Sequence, residues 1–284
     1  MNYILLLLIV AGVTLQQVAT KSYGEKVKGG TYSFSVGTMV FALLFFVLTS
    51  GGELDFSLAI VGYSLAFAVA NSVTTIFMLL AINEGPLALT SLIVQYSLLI
   101  PTLYGLFVLG ESVSICLLIG ITFLIASIVL INFEKKKEEK KISLKWAIYS
   151  ILTFVGNGSC SMIQKMQQTE FDGAYKNEFM IVAYVISIVI LFGCMLSKER
   201  KQCTGDLKHG FIYYLLRGLS VGLVNFLVLV LTNRMEASVM FPVISSGGIV
   251  ATFLLSVFVY REKLSLSQNI GVILGVISLV FLNI

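Results

Sequence analysis

The chain has 284 residues, of which 57% are hydrophobic and only 12% charged, with a mean hydropathy of +0.96, whereas soluble domains carry roughly 25% charged residues. So little polar surface cannot coat a globule in water, which excludes a soluble domain and predicts an all-α integral membrane protein. The net charge of +4 does not point to nucleic acid, because the Lys and Arg residues fall in short connectors between apolar runs, where they orient a membrane chain.

Apolar runs bounded by charge, Gly or Asn predict ten transmembrane helices, the first five at 3–20, 31–50, 57–82, 87–109 and 113–132. The N-terminal run lacks the basic leader and small-residue cleavage site of a secretory signal, so it reads as the first span. Residues 133–144, which include FEKKKEEKK, are too charged for lipid and read as a solvated linker. Five more spans follow at 145–164, 177–197, 210–232, 237–260 and 265–283. Each is long enough to cross a hydrocarbon core of about 30 Å at about 1.5 Å per residue. No run alternates as a barrel strand would, and an open segment in lipid must satisfy its own backbone hydrogen bonds, so the spans are helices.

The end of the chain repeats its middle. Shifting by 151 residues places Glu111 on Glu262, Ser114 on Ser265, Gly120 on Gly271 and Asn132 on Asn283. The starts of the two halves also register, with VAGVTLQQVATK ending at Lys21 over TFVGNGSCSMIQK ending at Lys165. The chain thus reads as two five-helix repeats, 1–132 and 145–284, joined by the 133–144 linker. Five is odd, so the second repeat is expected to enter the membrane upside down relative to the first. Fifteen of the 19 Lys and Arg residues lie in the connectors after spans one, three, five, seven and nine. Because cytoplasmic loops attract these residues, both termini are expected outside the cell membrane and the linker inside.

Taken together, Gly12, Lys21, Pro101, Glu111, Gly120 and Asn132, repeated as Gly156, Lys165, Glu262, Gly271 and Asn283, resemble the EamA-type branch of the drug/metabolite transporter superfamily. The resemblance spans the whole chain and implies ten helices in two inverted repeats and a transport function. The sequence departs from the pattern at Thr252, where the second repeat would have its Pro; Pro242 stands earlier instead. The related small multidrug exporters carry a proton-exchanging Glu eight residues before the lysine of helix one. Here those places hold Val13 and Asn157, so the proton-for-cation device is missing.

Polar side chains inside a span are costly and turn toward a cavity or a neighbouring helix. Thr153, Asn157, Ser161 and Lys165 recur every four residues along one stripe, with Gln164 beside them. Gln16 and Gln17 in the first span, Asn71 in the third, and Arg217 and Asn225 in the eighth answer them. Gln95 and Tyr96 lie near Pro101, and Ser245 and Ser246 near Pro242 and Gly247, where a broken helix would put polar groups at mid-depth. These twelve residues, from Gln16 to Ser246, are the predicted substrate-binding set. The competing reading is that such amides and hydroxyls only tie helices together, at about 0.6 kcal/mol per contact. Arg217 has two readings as well: its guanidinium snorkels to the surface, or it faces inward to meet a substrate carboxylate or phosphate. Lys21 and Lys165 read as helix-end anchors, and Ser114 and Ser265 as N-caps, with Glu111 and Glu262 beside those helix starts. Gly271 and Gly275 would let helices pack closely, within the molecule or between two copies as a homodimer.

The predicted function is a secondary transporter, exporting a small polar metabolite or amino-acid-like solute by alternating access. A multidrug cation/proton antiporter and an accessory membrane protein for a lipid-linked substrate are the alternatives. The four cysteines show no metal-binding spacing, and His209 is the only histidine, so no catalytic group, metal or cofactor is expected. The partners implied are the bilayer and a small-molecule substrate.

Overall fold

A computed structural model describes residues 2–27, 29–52, 54–84, 97–132, 143–199, 203–258 and 266–282. Among them there is no strand, and ten helices follow one another: α1 (Asn2–Lys26), α2 (Thr31–Thr49), α3 (Leu58–Glu84), α4 (Leu99–Phe107), α5 (Ile115–Asn132), α6 (Leu144–Glu170), α7 (Lys176–Lys198), α8 (Cys203–Thr232), α9 (Ala237–Phe258) and α10 (Leu266–Leu282). Five are long and apolar enough to cross a membrane, within α1, α2, α3, α7 and α8. Shorter apolar stretches lie in α5, α9 and α10. The 27-residue α6 is also long enough, but its polar stripe makes it too hydrophilic to qualify.

Three helices outrun the apolar segments that predict them: α1 continues to Lys26, α6 to Glu170, and α8 begins at Cys203. Hydropathy marks where lipid contact stops, whereas helical hydrogen bonding continues wherever the polar end is satisfied. At the end of α6, Gln167 Nε2 donates to the carbonyl of Ala174 at 3.1 Å. Lys165 therefore lies inside α6 rather than ending it, and its side chain is only 9% exposed. The anchor role predicted for it is corrected by this burial.

The chain divides into two compact units. Unit 1 holds residues 1–72 and 166–233; unit 2 holds 73–165 and 234–284. Each draws on both halves of the sequence, so the compact units and the predicted repeats are different divisions of the chain.

In unit 1, α8 packs along α1 and α2, and α2 packs on α7. Small residues allow the close approach that membrane helices use in place of a hydrophobic drive. A Cβ on Gly218 would lie 2.4 Å from Phe41 Cβ and 2.7 Å from the Thr38 carbonyl oxygen, and one on Gly222 would lie 2.7 Å from Phe45. The start of α2 is capped from a distance: Glu199 accepts the backbone N–H groups of Tyr32 (3.0 Å) and Ser33 (2.9 Å) and the Ser33 hydroxyl (3.1 Å). Carboxylates at helix N-termini satisfy orphan donors and favour the dipole. Glu199→Ala is expected to cost about 1 kcal/mol, as other cap deletions do. A melting temperature equal to that of the parent would show that α2 holds without it.

In unit 2, α5 and α10 pack together, and α9 packs on α4, α5 and α10. Ser278 on α10 donates to the Gly120 carbonyl at 2.8 Å, and Ser267 to that of Leu130 at 2.8 Å. Gly275 faces α5, where an added Cβ would sit 3.0 Å from Ser127 Oγ. The close packing predicted for Gly275 therefore operates within the molecule.

Candidate functional site

The exposed and buried faces of α6 are reversed relative to a soluble helix. Leu144, Ile148, Ile151 and Val155, three or four residues apart, are 47–78% exposed. On the other face Ser150 and Thr153 are fully buried, Gln164 is 3% exposed and Lys165 7%. Lipid is the solvent that favours apolar side chains outside and polar ones inside.

Within unit 2, Asn157 Nδ2 donates to Ser97 Oγ at 2.6 Å. The approach needs Gly158, because a Cβ there would lie 2.6 Å from the Ser97 carbonyl oxygen. Ser161 is half-buried one turn on. Ser245 and Ser246 are buried in α9, and Ser246 Oγ lies 3.2 Å from Ser278 Oγ of α10. That contact ties two helices, as the plainer reading of such hydroxyls expects.

A second polar cluster grips the turn before α9. Glu111 accepts from the backbone N–H groups of Ala237 (2.8 Å) and Ser238 (2.7 Å). Lys165 Nζ lies 3.5 Å from Glu111 and donates to the Met235 carbonyl at 3.1 Å. Ser112 Oγ donates to both carboxylate oxygens of Glu236, at 3.1 and 3.0 Å. Sequence reasoning placed Glu111 beside the start of its own following helix. There Ser114 alone caps α5, accepting from Leu117 N at 3.0 Å, and the carboxylate caps α9 instead. Glu262 and Ser265 lie outside the described residues.

Within unit 1, Asn71 on α3 reaches Ser187 Oγ of α7 at 3.4 Å and Met39 Sδ of α2 at 3.7 Å. Asn225 Nδ2 donates to the Val221 carbonyl of its own helix at 2.9 Å. Gln16 is half-buried on α1. Arg217 turns inward: Nη1 donates to Thr38 Oγ1 at 3.3 Å, and the guanidinium carbon lies 5.1 Å from the Phe34 ring centroid. The snorkelling alternative is not the conformation adopted. Phe34 is itself stacked on Tyr23 at 4.2 Å and tilted against Tyr214 at 5.7 Å.

The predicted set thus divides, with Gln16, Asn71, Arg217 and Asn225 in unit 1 and Asn157, Ser161, Gln164, Ser245 and Ser246 in unit 2. Gln95 and Tyr96, and the side chain of Gln17, lie outside the described residues. Sequence reasoning missed Ser97, Ser187, Thr38 and Phe34. Thr38 follows Phe34 by one helical turn, and that spacing was the available signal. No group of three or more metal-ligating side chains occurs among the described residues.

Comparison with known proteins adds three findings. Residues 144–284 match the model of the EamA-like transporter family. No curated protein matches the chain. A solved structure, described only as the crystal structure of a protein, is similar at a TM-score of 0.79 and 12% identity, covering 99% of this chain and 98% of its own. At that identity the likeness speaks for the fold alone.

Proposed function

We propose, from the premise that the chain belongs to the EamA-like transporter family, that it is a secondary transporter moving a small polar, amino-acid-like solute out of the cell. The solute is carried by alternating access between two inverted five-helix repeats, with both termini outside the cell membrane and residues 133–144 in the cytoplasm. The observation that supports this best is α6, whose lipid-compatible face is exposed while Ser150, Thr153, Gln164 and Lys165 are buried. A helix that served only to anchor the chain would have no reason to keep a polar stripe that is costly to bury. In this reading Asn157 and Gln16 offer neutral hydrogen-bonding groups to the solute.

Reconstitution into proteoliposomes with a panel of labelled polar metabolites tests the reading. Asn157→Leu and Gln16→Leu are each expected to lower transport about tenfold or more, the effect of losing roughly 1.4 kcal/mol of solute binding. Their melting temperatures should scarcely move, since one interhelical contact is worth only about 0.6 kcal/mol. Full transport in both variants, or a melting temperature that falls in step with transport, would leave these amides as helix ties and remove the site.

A further inference from the structure

We infer that the transported solute carries an oxyanion, a carboxylate or a phosphate, and that Arg217 binds it. This rests on the transporter reading above and specifies the solute's chemistry. Arg217 lies inside the candidate span Gly210–Thr232, where a charged side chain costs about 2.5–3.5 kcal/mol and marks a working site unless a partner neutralises it. The described residues supply little neutralisation. One neutral hydroxyl, Thr38 Oγ1, accepts from Nη1 at 3.3 Å, and the Phe34 ring faces the guanidinium at 5.1 Å. A ring quadrupole stabilises a cation by about 0.5–2 kcal/mol, without neutralising its charge.

Two further observations sharpen the point. Arg217 Nε is buried with no hydrogen-bond partner among the described residues, although a guanidinium has five donors arranged for two parallel bonds to a carboxylate or phosphate. The acidic residue at the nearby start of α2, Glu199, does not serve as counter-ion. It is engaged by the Tyr32 and Ser33 amides, and no ion pair joins it to Arg217.

The support beneath the guanidinium is also fixed in place. Phe34 stacks on Tyr23, whose hydroxyl donates to the Gly30 carbonyl at 3.2 Å. A charge held on a packed aromatic platform, with an unfilled donor and no resident anion, is prepared for an anion that arrives and leaves. A neutral amide would fill the donor but leave the charge uncompensated; an oxyanion does both.

The test uses the full chain in phosphatidylcholine vesicles. Pyruvate, L-alanine, L-glutamate and inorganic phosphate are the probes, with lactamide and alaninamide as controls lacking the oxyanion. Uptake of at least one oxyanion, competed by other oxyanions and not by the amides, is expected. Arg217→Gln should raise its half-saturating concentration roughly thirtyfold, the effect of truncating a buried charge pair, and Arg217→Lys should restore part of it. Competition in the parent protein needs no variant, so a misfolded Arg217→Gln does not empty the test. Transport of neutral or cationic solutes at rates unchanged by Arg217→Gln overturns the inference and leaves the transporter reading standing; folded protein that moves no solute overturns both. Stabilisation by phosphatidylglycerol that Arg217→Gln abolishes, with no solute competing, assigns Arg217 to a lipid headgroup and overturns the solute assignment.

Discussion

Glu111→Ala is expected to destabilise the protein by about 3–5 kcal/mol, the range for removing one partner of a buried ion pair. The side chains of Glu111 and Lys165 are 7% and 9% exposed. Truncating the acid leaves the ammonium with the Met235 carbonyl but without its counter-charge. The same change uncaps α9, because the Ala237 and Ser238 amides lose both acceptors at once. Lys165→Met removes the charge and keeps the stem, so Glu111 retains its two amide donors and the loss should be smaller. The double variant should be more stable than the sum of the two predicts, by about 1 kcal/mol or more, since neither charge is left alone in it. Unfolding in detergent, followed by helicity, measures all three. Additivity within about 0.5 kcal/mol, the scatter of independent sites, would mean that the two side chains do not act as a pair.

The second large effect is steric. Gly218→Ala is expected to cost about 3 kcal/mol, at the upper end of overpacking. The added methyl would meet Phe41 Cβ and the Thr38 backbone oxygen, atoms that move only if α2 moves. Displacing α2 would also draw Thr38 away from Arg217. Gly193 on α7 is the control: nothing lies within 4 Å of a Cβ placed there. Gly193→Ala should be neutral or gain up to about 1 kcal/mol from helix propensity. Equal melting temperatures for Gly218→Ala and the parent would show that α2 and α8 are not in tight contact.

Much of this was legible in the sequence because lipid imposes a simple rule on each helix separately. Apolar length located the helices, and the four-residue spacing of Thr153, Asn157 and Ser161 identified the polar face of α6 before any packing was known. Hydropathy says which face avoids lipid; it does not say what that face meets. Glu111 was read against the helix that follows it, while its true target, the start of α9, lies 126 residues further along. Lys165 looked terminal because the apolar run stops there, yet α6 continues on hydrogen bonds that polar side chains support. The pairing of Arg217 with Phe34 and Thr38 crosses from α8 to α2, a juxtaposition that only folding creates.

Assembly of each compact unit from both ends of the polypeptide also governs biosynthesis. A ribosome that has finished residues 1–132 has delivered α2 to the membrane before α7 and α8 exist, and α4 and α5 before α9 and α10. The early helices must wait side by side in the bilayer, their polar groups unmatched, until synthesis of the later ones closes the packing. Maturation is therefore a post-insertional docking event, and the nascent first half is the stage at which quality-control proteases have their opening.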